Sequence, residues 1–304
     1  MWGNTIVVGH TGHSIDGVTA AMGRVVILTK QNNRWVIEST ISAADGTDND
    51  PLDMTSRFGT GLAILGDTLF VSAPYKNVTG SPSSGKVYVY QRINNEWIET
   101  DTLLPETATT DQLFGISLAV SGNTLVIGAA GYSVVYTHHA GKLSYQAKLE
   151  PASTQASIDV RGTGQCGHWV DIDKDTVIVS NNYRTVSAGA VHVFKRYGSD
   201  WVEVGLITAP TEEAQALFGS SLAIQGDVIV AHSPFDSTAS DDGGNGYVYT
   251  LQDDYWGYRA TLSNPTSRAR ERLGHSIAFG DDYIVLGTNP SISTASPGTL
   301  TIYS

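Results

Sequence analysis

One motif restarts five times along the chain, at Phe58, Phe114, Cys166, Phe218 and Leu273. The segments read RFGTGLAILGDTLFVSAP, LFGISLAVSGNTLVIGAA, QCGHWVDIDKDTVIVSNN, LFGSSLAIQGDVIVAHSP and RLGHSIAFGDDYIVLGTN. Their spacings are 56, 52, 52 and 55 residues. A fixed period of this length restricts the fold to a solenoid, a propeller or an array of small units. Repeats decide architecture and leave chemistry to whatever the scaffold displays.

Each repeat predicts four short strands, A to D. In the second, strand A covers Gly61–Leu65, B covers Thr68–Ser72, C covers Lys86–Tyr90 and D covers Trp97–Leu103. Turn pairs such as Gly66-Asp67, Gly122-Asn123 and Gly226-Asp227 sit between apolar runs, as two-residue hairpins require. Strand C recurs as RVVIL, KVYVY, VVYTH, AVHVF, GYVYT and TLTIY, and strand D starts with an aromatic ring at Trp35, Trp97, Tyr145, Trp201 and Trp256. No stretch has sustained helical periodicity. Four antiparallel strands per repeat describe the blades of an all-β propeller; a β-solenoid would need shorter coils. The repeats fall at about 1–56, 57–112, 113–164, 165–216, 217–271 and 272–304 of a single 1–304 domain. Six are visible, in a ring of six or seven blades.

The run F-G-x-S-L-A, then T-L-V-I-G-A, then G-x-V-Y-V-Y, then W, resembles the FG-GAP repeat of integrin α-subunit propellers. It is closer to the plainer, calcium-loop-free version found in cell-surface proteins. The resemblance covers essentially the whole chain and implies a propeller, a surface location and an adhesion role. Integrin-type repeats hold calcium between strands A and B; only Asp171-Ile172-Asp173-Lys174-Asp175 is similar, and it lacks the following glycine and the later acidic ligand.

The terminal repeats differ from the rest. NTIVVGH and NNRWVIESTI align with strands B and D of the second repeat, so the first blade lacks its inner strand A, and the last lacks its outer strand D. Unpaired edges invite a partner. The expectation is a piece of a longer polypeptide, or closure by the remainder of that polypeptide or a neighbouring copy.

Composition narrows the function classes. A formal charge of −12 argues against a phosphate-binding surface and hence against a nucleic-acid partner. No apolar run approaches the roughly 18 residues that span a bilayer, so no membrane insertion is expected. MWGNTIVVGH has no basic flank or long apolar segment, so these residues predict no signal peptide. The single Cys166 excludes an internal disulfide, and its place at a repeat phenylalanine predicts packing.

Strand alternation puts the tight A–B and C–D turns on one face. The long B–C and D–A loops lie on the other, where binding usually resides. Tyr75, Tyr183 and Phe235 follow strand B at equivalent positions, with Tyr132 one residue out of phase; they are candidate ligand-binding rings. Asp45, Asp48, Asp50, Asp236, Asp241 and Asp242 are weak calcium candidates in the same loops. Asn77-Val78-Thr79 is a glycosylation sequon. Asp171 replaces the alanine found in the other strands A, and with His168 and His275 is a candidate channel lining. No nucleophile–base motif appears. The reading is a non-enzymatic, extracellular or surface-displayed module, without cofactor, that binds protein or carbohydrate through the loop face. The alternatives are a structural block of an appendage, filament, capsid or cell wall, and a hydrolase or lyase using Asp171.

Overall fold

The computed structural model describes residues 2–12, 22–45, 56–139, 141–151, 166–182, 188–211, 215–238, 242–264, 270–289 and 298–304. Among them there is no helix, and the strands form six antiparallel sheets, four with four strands and two with three. These are the blades of the predicted all-β propeller fold.

Blade 1 comprises β1 (Thr5–His10), β2 (Arg24–Gln31) and β3 (Arg34–Ile41). Blade 2 comprises β4 (Leu62–Leu65), β5 (Thr68–Ala73), β6 (Lys86–Ile93) and β7 (Glu96–Leu103). Blade 3 comprises β8 (Ser117–Ser121), β9 (Thr124–Ala129), β10 (Tyr132–His139) and β11 (Lys142–Leu149). Blade 4 comprises β12 (Cys166–Asp173), β13 (Thr176–Asn181), β14 (Ala190–Tyr197) and β15 (Asp200–Ile207). Blade 5 comprises β16 (Leu222–Gln225), β17 (Val228–Ser233), β18 (Asn245–Gln252) and β19 (Tyr255–Leu262). Blade 6 comprises β20 (Leu273–Phe279), β21 (Ile284–Thr288) and β22 (Leu300–Tyr303). Blade 1 therefore has strands B, C and D, and blade 6 has A, B and C, as the sequence predicts.

The chain forms two compact units. One is Met1–Ala130 with Val134–Gln146; the other is Gly131–Ser133 with Ala147–Ser304.

Local chemistry sets the hairpins. The C–D turns at Asn32-Asn33, Asn94-Asn95 and Asp253-Asp254 hold both central residues at positive φ, between 48° and 65°. Such turns match the twist of the strands they join, and Asn and Asp tolerate that region best. A register shift recurs in the C–D ladder at Ile27/Leu28, Val89/Tyr90, Val193/Phe194 and Val248/Tyr249. It adds one residue to the outer strand and increases the local twist.

The Phe-Gly element joins one blade to the next. Phe58 and Phe218 are fully buried and pack edge-on against the strand C tyrosines of their own blades, Tyr88 and Tyr90 in one case and Tyr249 in the other. Their backbone docks against a glycine at the start of the preceding strand C. Gly85 forms a parallel bridge with Phe114, and Gly189 with Phe218. The amides of Phe58, Phe114, Phe218 and Leu273 donate to Met22, Ser84, Ala188 and Gly243, at 2.8–3.0 Å. Within the second unit, Gly131 N donates to Cys166 O at 2.7 Å. Gly85 (φ 89°) and Gly189 (φ 91°) cannot be replaced without conflict, because a Cβ would stand 2.3 and 2.1 Å from the carbonyl oxygens of Phe114 and Phe218. The motif is thus a backbone plug in a glycine-floored slot, and the ring closes the core beneath it.

Gly189→Ala should therefore destabilise the protein by about 2–4 kcal/mol through backbone strain and a displaced Phe218. Gly66→Ala, at φ 60° with nothing within 4 Å, should cost only about 1–2 kcal/mol. Urea denaturation of the two variants checks the contrast; equal losses would remove the slot from the account.

Candidate functional site

In the first unit, strand B of blade 2 ends in Ala73-Pro74, which turns Tyr75 out half-buried at the loop end. The Arg57 guanidinium lies 4.7 Å from its ring centroid. Arg57 is held there by an unusual backbone, φ 52°, in the residue preceding the Phe-Gly plug. In the second unit Phe235 is equally half-buried, with the Arg272 guanidinium 4.8 Å from its ring. Arg272 also precedes a plug residue and also has positive φ, 50°. Tyr132 carries the Lys148 ammonium at 4.6 Å. Three of the four predicted aromatic rings thus have a cation over one face, which is favourable by about 0.5–1 kcal/mol at exposed sites. Tyr183 lies outside the described residues.

Two of the acidic candidates, Asp45 and Asp236, are engaged by neighbouring side chains. Asp45 accepts hydrogen bonds from Lys86 Nζ at 2.8 Å and Tyr88 OH at 2.7 Å, with Lys76 Nζ at 3.7 Å. Burial alone would raise its pKa; the hydrogen bonds from Lys86 and Tyr88 and the charges of Lys76 and Lys86 outweigh it and leave the carboxyl below its usual value. Asp236, 1% exposed, accepts from Thr238 N at 3.0 Å, Thr238 Oγ1 at 2.5 Å, Asn245 Nδ2 at 2.7 Å and the Tyr247 hydroxyl. Tyr88 and Tyr247 occupy the same repeat position, so one hydroxyl is met by a D–A loop carboxylate in blade 2 and a B–C loop carboxylate in blade 5. Both carboxylates fasten loops. Asp242 contributes its backbone, accepting from Arg272 N and donating to Ser237 Oγ, each at 3.3 Å. Asp48, Asp50 and Asp241 lie outside the described residues. Among the described residues no three His, Cys, Asp or Glu side chains gather in a way that could hold a metal ion. Asn77 Oδ1 accepts from Ser83 N at 3.0 Å, which folds the sequon into its loop.

Asp171, His168 and His275 are not brought together by any hydrogen bond or ion pair among the described residues. Asp171 Oδ1 accepts from Ile172 N and Oδ2 from Ile224 N, both at 2.9 Å; Asp173 Oδ2 accepts from Gly226 N at 2.7 Å. Two carboxylates on β12 therefore cap one amide on β16, the inner strand of the next blade, and one in the turn that follows it. Burial pushes Asp171 up to about 6 despite these bonds. Burial lowers the His168 pKa, and burial together with Arg272 lowers that of exposed His275. Cys166 is buried and its thiol is pushed up to about 12 by burial, then by the charge of Glu203, so it packs and does not ionise.

The surroundings of two histidines were not readable from the sequence. His232 stands where strand B has Ser72 and Ser180, whose hydroxyls accept from Gly61 N and Trp169 N at 2.7 and 2.9 Å. The larger ring lies over Gly274, where a Cβ would be 2.5 Å from its Cδ2. Burial, then the nearby His275, brings its pKa down to about 3, so it is neutral. Buried His192 replaces the strand C tyrosine and bonds Glu203 through Nδ1 at 2.7 Å. Aligning the strands column by column would have exposed both substitutions. A separate cleft of about 260 Å³ lies at the A–B turn end of blades 5 and 6, beside Asp281, Asp282, Tyr283 and Tyr303.

An acid whose pKa is raised on folding binds more protons in the native state, so stability falls as pH rises between the unfolded and folded values. For Asp171 that window is from its ordinary value of 3.8 to about 6. Asp171→Asn should abolish this part of the pH dependence, about 1–2 kcal/mol after allowing for partial exposure. Urea midpoints at pH 4 and pH 7 for both proteins test it; an unchanged difference would show that other groups cause the slope.

The comparisons with known proteins agree with this geometry. The FG-GAP repeat family matches residues 35–90 and 201–249. No curated protein matches the sequence. Among solved structures, a candidate 6-phosphogluconolactonase from Bacteroides uniformis is similar over 98% of this chain and 81% of its own, with 12% identity and a TM-score of 0.61. A second candidate 6-phosphogluconolactonase, from Bacteroides fragilis, is similar over 99% and 98%, with 10% identity and a TM-score of 0.46. At such identity the first likeness concerns the fold alone. The chain is an all-β protein of propeller blades, two stretches of which match the FG-GAP repeat.

Proposed function

We propose that this chain is a non-enzymatic binding module, displayed outside the cell or on a cell or particle surface, that recognises protein or carbohydrate through the loops joining strands B to C and D to A. The observation that carries the reading is the pairing of a half-buried ring with a cation at loop ends, Tyr75 with Arg57 and Phe235 with Arg272. Each pair is a flat apolar surface edged by guanidinium donors, held on a scaffold of buried strands. Sugar rings and acidic or amide-bearing protein segments both suit such a surface. FG-GAP repeats occur in extracellular and surface proteins, which supports the location.

The alternative of a hydrolase or lyase using Asp171 has less support. Both carboxylate oxygens accept backbone amides, so the group acts as a stitch between inner strands. The lactonase name belongs to the Bacteroides uniformis protein. The structural-block alternative is favoured by one observation, the three-stranded terminal blades.

The test is a glycan array together with a panel of purified surface proteins, probed with the wild type, Arg57→Ala/Tyr75→Ala and Arg272→Ala/Phe235→Ala. Binding by the wild type that falls at least tenfold in a variant of unchanged thermal midpoint is the expected result. Wild-type binding that both variants retain would move recognition away from these rings, and no wild-type binding would favour the structural-block reading.

A further inference from the structure

In blades 1 to 5 the fifth residue of strand B is Gly9, Ser72, Gly128, Ser180 and His232. Where it has a side chain, that side chain lies against the glycine of the next plug: Ser72 against Gly115, Ser180 against Gly219 and His232 against Gly274. A Cβ on the glycine would stand 2.7 and 3.5 Å from the two serine Cβ atoms, and 2.5 Å from His232 Cδ2. In blades 2 and 4 the serine hydroxyl also accepts a backbone amide, at 2.7 and 2.9 Å. His232 has no equivalent bond. It is 1% exposed, and neither ring nitrogen makes a well-formed hydrogen bond to a described residue.

The surroundings of the ring are short of negative charge. Strands β16, β18 and β20 pack against β17. The first has no titratable side chain. On β18, Tyr247 and Tyr249 pack with Phe218 in the core shared with blade 4. On β20 the titratable group is His275, which interacts with His232 and is itself beside Arg272. Of the nearby acids, Glu271 accepts from Asn264 Nδ2 at 2.8 Å, and Asp236 accepts from Thr238, Asn245 and Tyr247. No described carboxylate pairs with His232, so a charge on its ring would meet a second histidine and a guanidinium.

We propose that His232 is an acid-sensitive latch between blades 5 and 6. The neutral ring keeps the joint closed. A protonated ring needs water, and reaches it only by leaving its place over Gly274, which loosens Leu273 from its hydrogen bond to Gly243. Burial first, then His275, lowers the pKa of the ring to about 3, and a backbone group of Leu273 offsets this only in part. The closed joint therefore binds fewer protons than the open one, so its stability is complete above the ordinary value of 6.5 and falls as pH drops from there toward about 3. One linked proton raises the opening constant about 25-fold between pH 7 and pH 5. His275 acts in the same direction and Asp171 in the opposite one. The latch concerns the joint between two blades and does not rest on the loop-end binding reading.

The test is amide hydrogen exchange at pH 7 and pH 5, expressed as protection factors so that the intrinsic pH dependence of exchange is removed. It compares the full wild-type chain with His232→Ser, which installs the residue of blades 2 and 4, and with His232→Gln, which fills more of the space without titrating. Between pH 7 and pH 5 the wild type should lose about 20-fold protection over residues 273–279 and 284–288, and each variant at most about fivefold. Residues 69–73 of the first unit should change by less than threefold in all three proteins. If His232→Ser does not fold at pH 7, His232→Gln gives the answer. Full wild-type protection at pH 5, an equal loss in the variants, or an equal loss at residues 69–73 would each overturn the proposal.

Discussion

The fold depends on a backbone-to-backbone fit between a glycine and the residue two or three dozen positions later that begins the next repeat. The fit is steric before it is energetic. With Cβ positions 2.1–2.3 Å from a carbonyl oxygen, no other residue can stand at Gly23, Gly85 or Gly189 unless the plug moves. Once the plug is seated, its amide hydrogen bond is satisfied and the side chain lies under the blade. Burying a phenylalanine there contributes about 2–3 kcal/mol. Backbone contact sets where each blade sits, and the apolar rings then make that placement stable.

This order explains what varies. Plug residues can be Phe, Cys or Leu because the slot reads backbone, and the side chain has only to fill space. Strand C can present Tyr88, His192 or Tyr247 at one position provided that a carboxylate meets the polar atom. Asp45, Glu203 and Asp236 do so from three different parts of a repeat. A buried hydroxyl without such a partner would cost about 1–3 kcal/mol. The loops that carry Asp45 and Asp236 are therefore each tied to a strand C tyrosine at one point.

Much of the architecture was legible because it repeats. Five restarts of one motif, a two-residue turn after strand A and an aromatic at the start of strand D were enough to place the strands, including the missing A of the first blade and the missing D of the last. The aromatic positions after strand B were also legible, but their cations were not. Arg57 and Arg272 are adjacent to the plugs in sequence and reach the rings only because a left-handed backbone turns them. The partners of the acidic loops were hidden for a related reason: clustered aspartates look alike whether they face water, an ion or a buried tyrosine, and only the fold brings Tyr88 to Asp45 across 43 residues. Asp171 was legible as an oddity among alanines, and its amide partner on the next blade was not.

The Asp171 and Asp173 stitches bear on how such a protein keeps apart from its own kind. The innermost strand of every blade has one side with no neighbouring strand in its sheet, and exposed N–H groups on such an edge are templates for pairing with foreign chains. On β16 the amide of Ile224, and in the turn after it that of Gly226, already point into carboxylates. An incoming strand would have to displace both and leave two negative charges against its own carbonyl groups. A pair of aspartates that looks like a fragment of an ion site leaves two amides of this inner edge already paired.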